Sequence, residues 1–171
     1  VLLNKPINID TFLTLIDGHI ENNTSTLITL KPKAKVIWTP AEGTKDSTYV
    51  KGYVAIEKNT TGVDTLVFPV GNKVGYDSKS HEFRVIVNHS NNTIATYTGH
   101  YIVGSANALG WSLPPTIAWL SGKGYWEIIR SGPANIISTY VWGFYDPVWD
   151  DAPDPANLTI AKGNPTSWID L

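Results

Sequence analysis

His19, His81, His89 and His100 are the side chains best suited to proton transfer or metal ligation, and their spacing serves neither. No two stand at the i, i+4 interval that sets a pair of imidazoles on one helix face. His81 and His89 would face each other only across a turn, so solvated or hydrogen-bonded strand histidines are expected. Glycoside hydrolysis needs two inward carboxylates flanking a groove. Glu82 and Glu127 both sit within strand-like runs and are the only plausible pair, and Glu127 alternates with Trp126, which points it to solvent and toward a cross-strand basic partner. No G-x-S-x-G elbow occurs, and "SGKGYWEI" lacks the spacing of a phosphate loop. No acid, base and nucleophile set can be assembled, so the chain is not expected to be an enzyme.

Two other groups can bind rather than react. "DPVWDDAPDP" gathers carboxylates that repel unless a cation or solvent separates them, so Ca²⁺ on Asp146, Asp150 and Asp151 is physically reasonable. The spacing is not that of an EF-hand loop, and the prolines make a stiff exposed turn equally natural. No other cofactor is implied. The seven tryptophans are many for this length. Trp126 and Trp142 sit mid-strand, where core is the expected place, whereas Trp111, Trp119 and Trp149 sit in loops and are candidates for a stacking surface. Asn22, Asn23, Asn59, Asn88, Asn91 and Asn157 match N-x-[ST], as chance allows in an Asn- and Thr-rich chain.

The elements that must carry these residues are strands. The chain has 171 residues, 42% of them hydrophobic, enough for one domain or one domain plus a short appendage. A net charge of −2 with 16% charged residues provides no basic face for nucleic acid. Its longest apolar runs are too short to cross a bilayer. Cysteine is absent, which removes disulfides and thiolate chemistry, and methionine is absent even at position 1, so "VLLNKP" is not expected to be a native translation start.

"IDTFLTLIDGHI" alternates, and "STLITLKPKAKVIW" holds two short strand-like pieces. Residues 1–40 therefore read as one or two coils of a β-solenoid, or a small β-layer. "WTPAEGTKDS" is the linker. From Tyr49 onward strand signals recur about every ten residues, as in an all-β sandwich. "ANALGWSLPPTIAWL" has room for one helical turn before its Pro114-Pro115 pair. In "FPVG", Pro69 fits a strand end and Gly71 a turn.

In order, "ITLKPKAKV", "TYVKGYVAIEKN", "DTLVFPVGNKVGY", "ATYTGHYI", "GYWEIIRSG", "STYVWGFYD" and "NLTIAKGNPTSWIDL" resemble a module of the giant, adhesin-like surface proteins that Bacteroidetes export by type IX secretion. The resemblance spans about residues 15–171. It implies secretion, a β-sandwich, a surface or adhesive role and no catalytic residues. It also suggests O-glycosylation at Asp-Ser/Thr-x sites, here Ser47 and Thr65. The chain departs from the pattern after "FPVG", and it stops at "SWIDL" where the module usually continues into another strand.

The expected fold is all-β: an antiparallel, jelly-roll-like β-sandwich over 41–171, lacking a final strand, preceded by a short β-layer or β-solenoid end over 1–40. Its core should take Val50, Val54, Ile56, Leu66, Phe68, Val85, Val87, Tyr101, Trp126, Ile128, Ile137 and Val141. The expected function is a non-catalytic structural or adhesive module of an exported bacterial cell-surface protein, part of a longer chain. Its partners would be other segments of that protein or identical subunits, the type IX secretion machinery, and glycans. Two alternatives stand beside it: an extracellular fibre subunit that donates "NIDTFLTLI" to a neighbouring chain's sheet, and a carbohydrate-binding module.

Overall fold

The computed structural model describes residues 1–38, 47–74, 77–143, 159–164 and 166–170. It is all-β, with short 3-10 turns as the only helical pieces among the described residues. The chain divides into two compact units, residues 1–101 with 126–144, and residues 102–125 with 145–171.

The first unit begins as a parallel coil. Strands β1 (Ile7–Ile9), β2 (Phe12–Leu15) and β3 (Ile20–Glu21) form one rung, and β4 (Ile28–Leu30), β5 (Lys35–Trp38) and β6 (Val50–Lys51) form the next. Each strand lies parallel to its counterpart: Ile7 pairs with Ile28, Phe12 with Lys35, and Ile20 with Val50. Parallel pairs need a long return connection, and here one whole turn of chain supplies it. Short apolar runs broken by turns cannot build a long strand, so they stack instead. Gly18 (φ 71°) and Lys33 (φ 81°) supply the left-handed residues of those turns.

The third face continues beyond the two rungs at both ends. Leu2 bridges Glu21 in parallel, and Val50 bridges Val70 in parallel. Here the "FPVG" step has its use. Pro69 is fully buried, its carbonyl accepts the Val50 N–H at 2.7 Å, and the Val70 carbonyl accepts the His81 N–H at 2.8 Å. The step locks the end of the coil to the start of the sandwich.

Strand β7 (Val54–Lys58) is where the pairing changes sense. It lies parallel to β4 on one side and antiparallel to β12 (Ala95–Val103) on the other. The sheet runs β1-β4-β7-β12-β13, with β13 at Gly124–Ser131. The facing sheet is antiparallel, in the order β14-β11-β8, from β8 (Gly62–Phe68), β11 (Phe83–His89) and β14 (Ile136–Gly143). A hairpin of β9 (Gly71–Val74) and β10 (Asp77–Ser80) joins β8 to β11.

The two sheets pack as a sandwich. Val54, Ile56 and Tyr97 meet Leu66, Phe68, Val85 and Val87 in one apolar cluster. Phe68 lies against Gly99 of β12, where a Cβ would stand 2.6 Å from the Phe68 ring and 2.5 Å from Ile128. Burial alternates along β11 at Phe83, Val85, Val87 and His89, the period of a strand with one face in the core.

Of the expected core, Val50, Val54, Ile56, Leu66, Phe68, Val85, Val87 and Tyr101 are buried, and Trp126, Ile128 and Val141 pack against them. Ile137 does not join them, being 64% exposed. Asn88 pairs with Ser138 and His89 with Ile136, so Ile137 is the extra residue of a β-bulge and Ile136 takes the inward place. Trp142 is likewise not core: Val141 pairs with the buried Val85, which turns Trp142 to the outside, 48% exposed.

In the second unit, the residues ahead of the proline pair form a 3-10 turn, Ala106–Leu109. The Ser105 hydroxyl caps it, accepting the Asn107 N–H, and Gly110 (φ 68°) ends it. Strands β15 (Ala161–Asn164) and β16 (Ser167–Asp170) form a hairpin, and Ser112 bridges Ser167.

Candidate functional site

The outward face of the β14-β11-β8 sheet carries two exposed aromatic side chains, Tyr140 and Trp142. Register sets three cross-strand rows there: Trp142, Arg84 and Val67; Tyr140, Ile86 and Thr65; Ser138, Asn88 and Val63. Tyr140 is 65% exposed. The Arg84 guanidinium lies 4.7 Å from the Trp142 ring centroid, a cation–π contact. Its Nε donates to the Glu82 carboxylate, which is buried. Glu82 thus fixes Arg84, and Arg84 fixes the indole. Such a surface offers rings for stacking, a held cation and amide and hydroxyl groups for hydrogen bonds.

Every described histidine has a structural partner. His19 Nε2 meets Glu21 at 3.0 Å, and its ring stacks on Tyr49. His81 stacks on Tyr101 with centroids 3.7 Å apart, and its carbonyl accepts the Trp126 indole N–H. His100 Nε2 lies 2.8 Å from Glu127, with Tyr53 stacked on its ring. Glu127 is exposed and paired across strands, as its alternation predicts, except that the partner is a histidine. Glu82 stands just before β11 and Glu127 on β13, in opposite sheets and each held by its own partner, so they do not form a flanking carboxylate pair.

His89 closes one end of the sandwich. It is buried, and its Nε2 lies 2.7 Å from the Tyr97 hydroxyl. Lys58 is buried nearby, donating to Thr60 Oγ1 at 2.9 Å and lying 3.4 Å from Asp64. Burial, then the Lys58 and Arg130 charges, hold the His89 imidazole below its ordinary value of 6.5. In the unfolded chain His89 takes up a proton near that ordinary value, while the folded protein resists it. The contribution of His89 to stability is therefore full above about pH 6.5 and is lost as pH drops toward the folded value. Urea midpoints measured from pH 7.5 to 5.5 should decline, and His89→Gln should flatten that decline.

A cleft of about 240 Å³ opens between β5 and β8, floored by Leu30, Ile56 and Leu66, with Lys35 and Asp64 on its walls. On the second face β8 would be the next rung after β5, but it pairs with β11 instead, and the cleft is the gap this leaves.

Of the loop tryptophans, Trp111 and Trp119 lie among the described residues. Trp111 is half-buried with its ring against Gly163, where a Cβ would overlap it. Trp119 is exposed. Trp149, Asp146, Asp150 and Asp151 lie outside the described residues, and no group of three His, Asp or Glu able to hold a metal ion occurs among the described ones. Thr65 is exposed on β8, with its N–H bonded to Asp64 Oδ1, and Ser47 is half-buried in a 3-10 turn. Asn22 and Asn23, both sequon matches, are structural: Asn22 bonds both backbone groups of Tyr53, and Asn23 caps the turn Thr24–Thr26. Sequence reasoning missed Tyr140 and Trp142 as surface residues. The signal available was the alternation of β14: with Val141 in the core, its neighbours Tyr140 and Trp142 fall on the outer face, and the bulge at Ile137 leaves that stretch intact.

No protein-family model matches the chain, and no curated protein or solved structure is detectably similar to it, so the resemblance to type IX-secreted surface modules rests on the quoted residues alone.

Proposed function

We propose that this chain is a non-catalytic structural and adhesive module of an exported bacterial surface protein, and that it holds a recognition face rigid. The observation that carries this reading is the aromatic face of β14, with Tyr140 and Trp142 exposed beside an Arg84 that a buried carboxylate holds in place. Exposed aromatic rings on a packed sheet bind without needing to move. The quoted resemblance supports export and a surface role.

Carbohydrate is the ligand class this face suits best, since sugar rings stack on aromatic faces while their hydroxyls take hydrogen bonds from groups such as Arg84, Asn88 and Ser138. A glycan array probed with the wild-type chain tests the reading. Binding to at least one glycan, lowered about tenfold or more by Tyr140→Ala or Trp142→Ala and little changed by Trp119→Ala, is the expected result. Absence of wild-type binding would remove the carbohydrate assignment. The strand-exchange alternative is less favoured, because "NIDTFLTLI" is already paired within its own chain, β1 on β4 and β2 on β5.

A further inference from the structure

We infer that the first rung of the parallel coil is a stacking surface, and that its occupant is one further β-coil laid parallel over β1, β2 and residues 1–3. The inference rests on the coil geometry alone, so its failure leaves the recognition face untouched.

The strongest observation is a gradient of exposure along equivalent positions. Ile7, Ile28 and Val54 form one row on the first face, where exposure falls from 40% to 1% to 0%. The third face repeats the pattern. Leu2 bridges Glu21, which sets Val1 beside Ile20, and Ile20 pairs with Val50. In that row Val1 is 83% exposed, Ile20 half-buried and Val50 fully buried. The residue type stays β-branched and apolar throughout each row. Along the first-face row only position in the stack changes, so the apolar surface of Ile7 is exposed for want of a rung above it.

The backbone agrees. The Ile7 N–H and the Ile9 carbonyl are both directed to the β4 side, bonding Leu27 and Lys31. The alternation of a parallel ladder then directs the Asn8 N–H and carbonyl to the opposite edge. β1 is the outermost strand of its sheet. No charge, proline or bulge lies within "INI" to blunt that edge. On the second face Leu13 and Leu15 are already buried while Phe12 is 57% exposed. The added coil would thus complete the inward rows of the first and third faces and lie over Phe12 on the second.

The occupant's chemistry follows from the existing contact between rungs. It is a coil of about twenty residues, with an apolar side chain seated over Ile7 and another over Val1, its backbone in register with Asn8 and Leu2.

A chain in which residues 1–20 precede residues 2–171 tests this, because Leu2 and Glu21 hold equivalent positions in the stack. Hydrogen exchange is read at Asn8 of the original rung. At least tenfold slower exchange than in the wild type, with the added residues resistant to protease, is the expected outcome. Ile7→Lys, mild in the wild-type chain, should then become severely destabilising in the extended one. Removal of the added coil by protease with unchanged Asn8 exchange, or failure of the extended chain to fold, would overturn the inference. Sedimentation of the wild-type chain covers the other occupant: a dimer that Ile7→Lys dissociates would assign this surface to a second copy and also overturn it.

Discussion

Phe68→Ala is expected to lower the unfolding free energy by about 3–5 kcal/mol, the cost of emptying a large aromatic site in a packed core. Phe68 is fully buried at the end of β8 and lies between the sheets against Gly99 and Ile128. The backbone there has little freedom to collapse into the space. Phe68 pairs across to Phe83 on β11, and the buried Pro69 that follows it carries the bond to Val50. A cavity at Phe68 would therefore loosen the sandwich and its junction with the coil together. Urea denaturation checks this, and Phe68→Leu should recover a large share of the loss.

Gly52→Ala carries the other large effect, and its cause is backbone rather than core. Gly52 has φ 135°, and a Cβ there would overlap the side-chain oxygen and the carbonyl of Asn22. Asn22 acts as a rung made from a side chain. Its Nδ2 donates to the Tyr53 carbonyl at 2.7 Å, its Oδ1 accepts the Tyr53 N–H at 2.6 Å, and its own N–H donates to the Lys51 carbonyl at 3.0 Å. An alanine adds unfavourable positive-φ strain of about 1–2 kcal/mol and displaces two hydrogen bonds worth about 1 kcal/mol each. The expected loss is about 3 kcal/mol. Asn22→Ala, which removes the bonds without the strain, should cost about 2 kcal/mol. The ordering of the two variants is the informative part: equal losses would mean that Gly52 is needed only for its neighbour.

Much of this was legible in the residues. "HEFRVIVNHS" alternates cleanly, and β11 buries the side chains that its period assigns to the core. Short apolar runs ending at Asp-Gly and Lys-Pro signalled a coil, and the first rungs are parallel. The "FPVG" step reads as a strand end at Pro69, which it is, but Gly71 opens strand β9 rather than a turn.

What was not legible shares a cause: it depends on partners far away in the chain. Ile137 changed sides because of a bulge, and a bulge has no composition of its own. Asn22 reads as a glycosylation match because its true partner, Tyr53, stands 31 residues on. Arg84 looks like an ordinary strand cation until Glu82 and Trp142 are placed on either side of it. The switch at β7 from parallel to antiparallel pairing also leaves no mark, since "VAIEK" suits either ladder.

The central claim is that the coil and the sandwich of the first unit form one continuous packed body, with side-chain rows running from Ile7 through Ile28 to Val54. Native-state hydrogen exchange along the first face tests it most directly. Protection should rise from β1 to β4 to β7, with the slowest amides of β7 opening only at the free energy of global unfolding. If β1 to β5 instead exchange as a separate block, at an opening energy unrelated to that of β7 and β11, the account is contradicted.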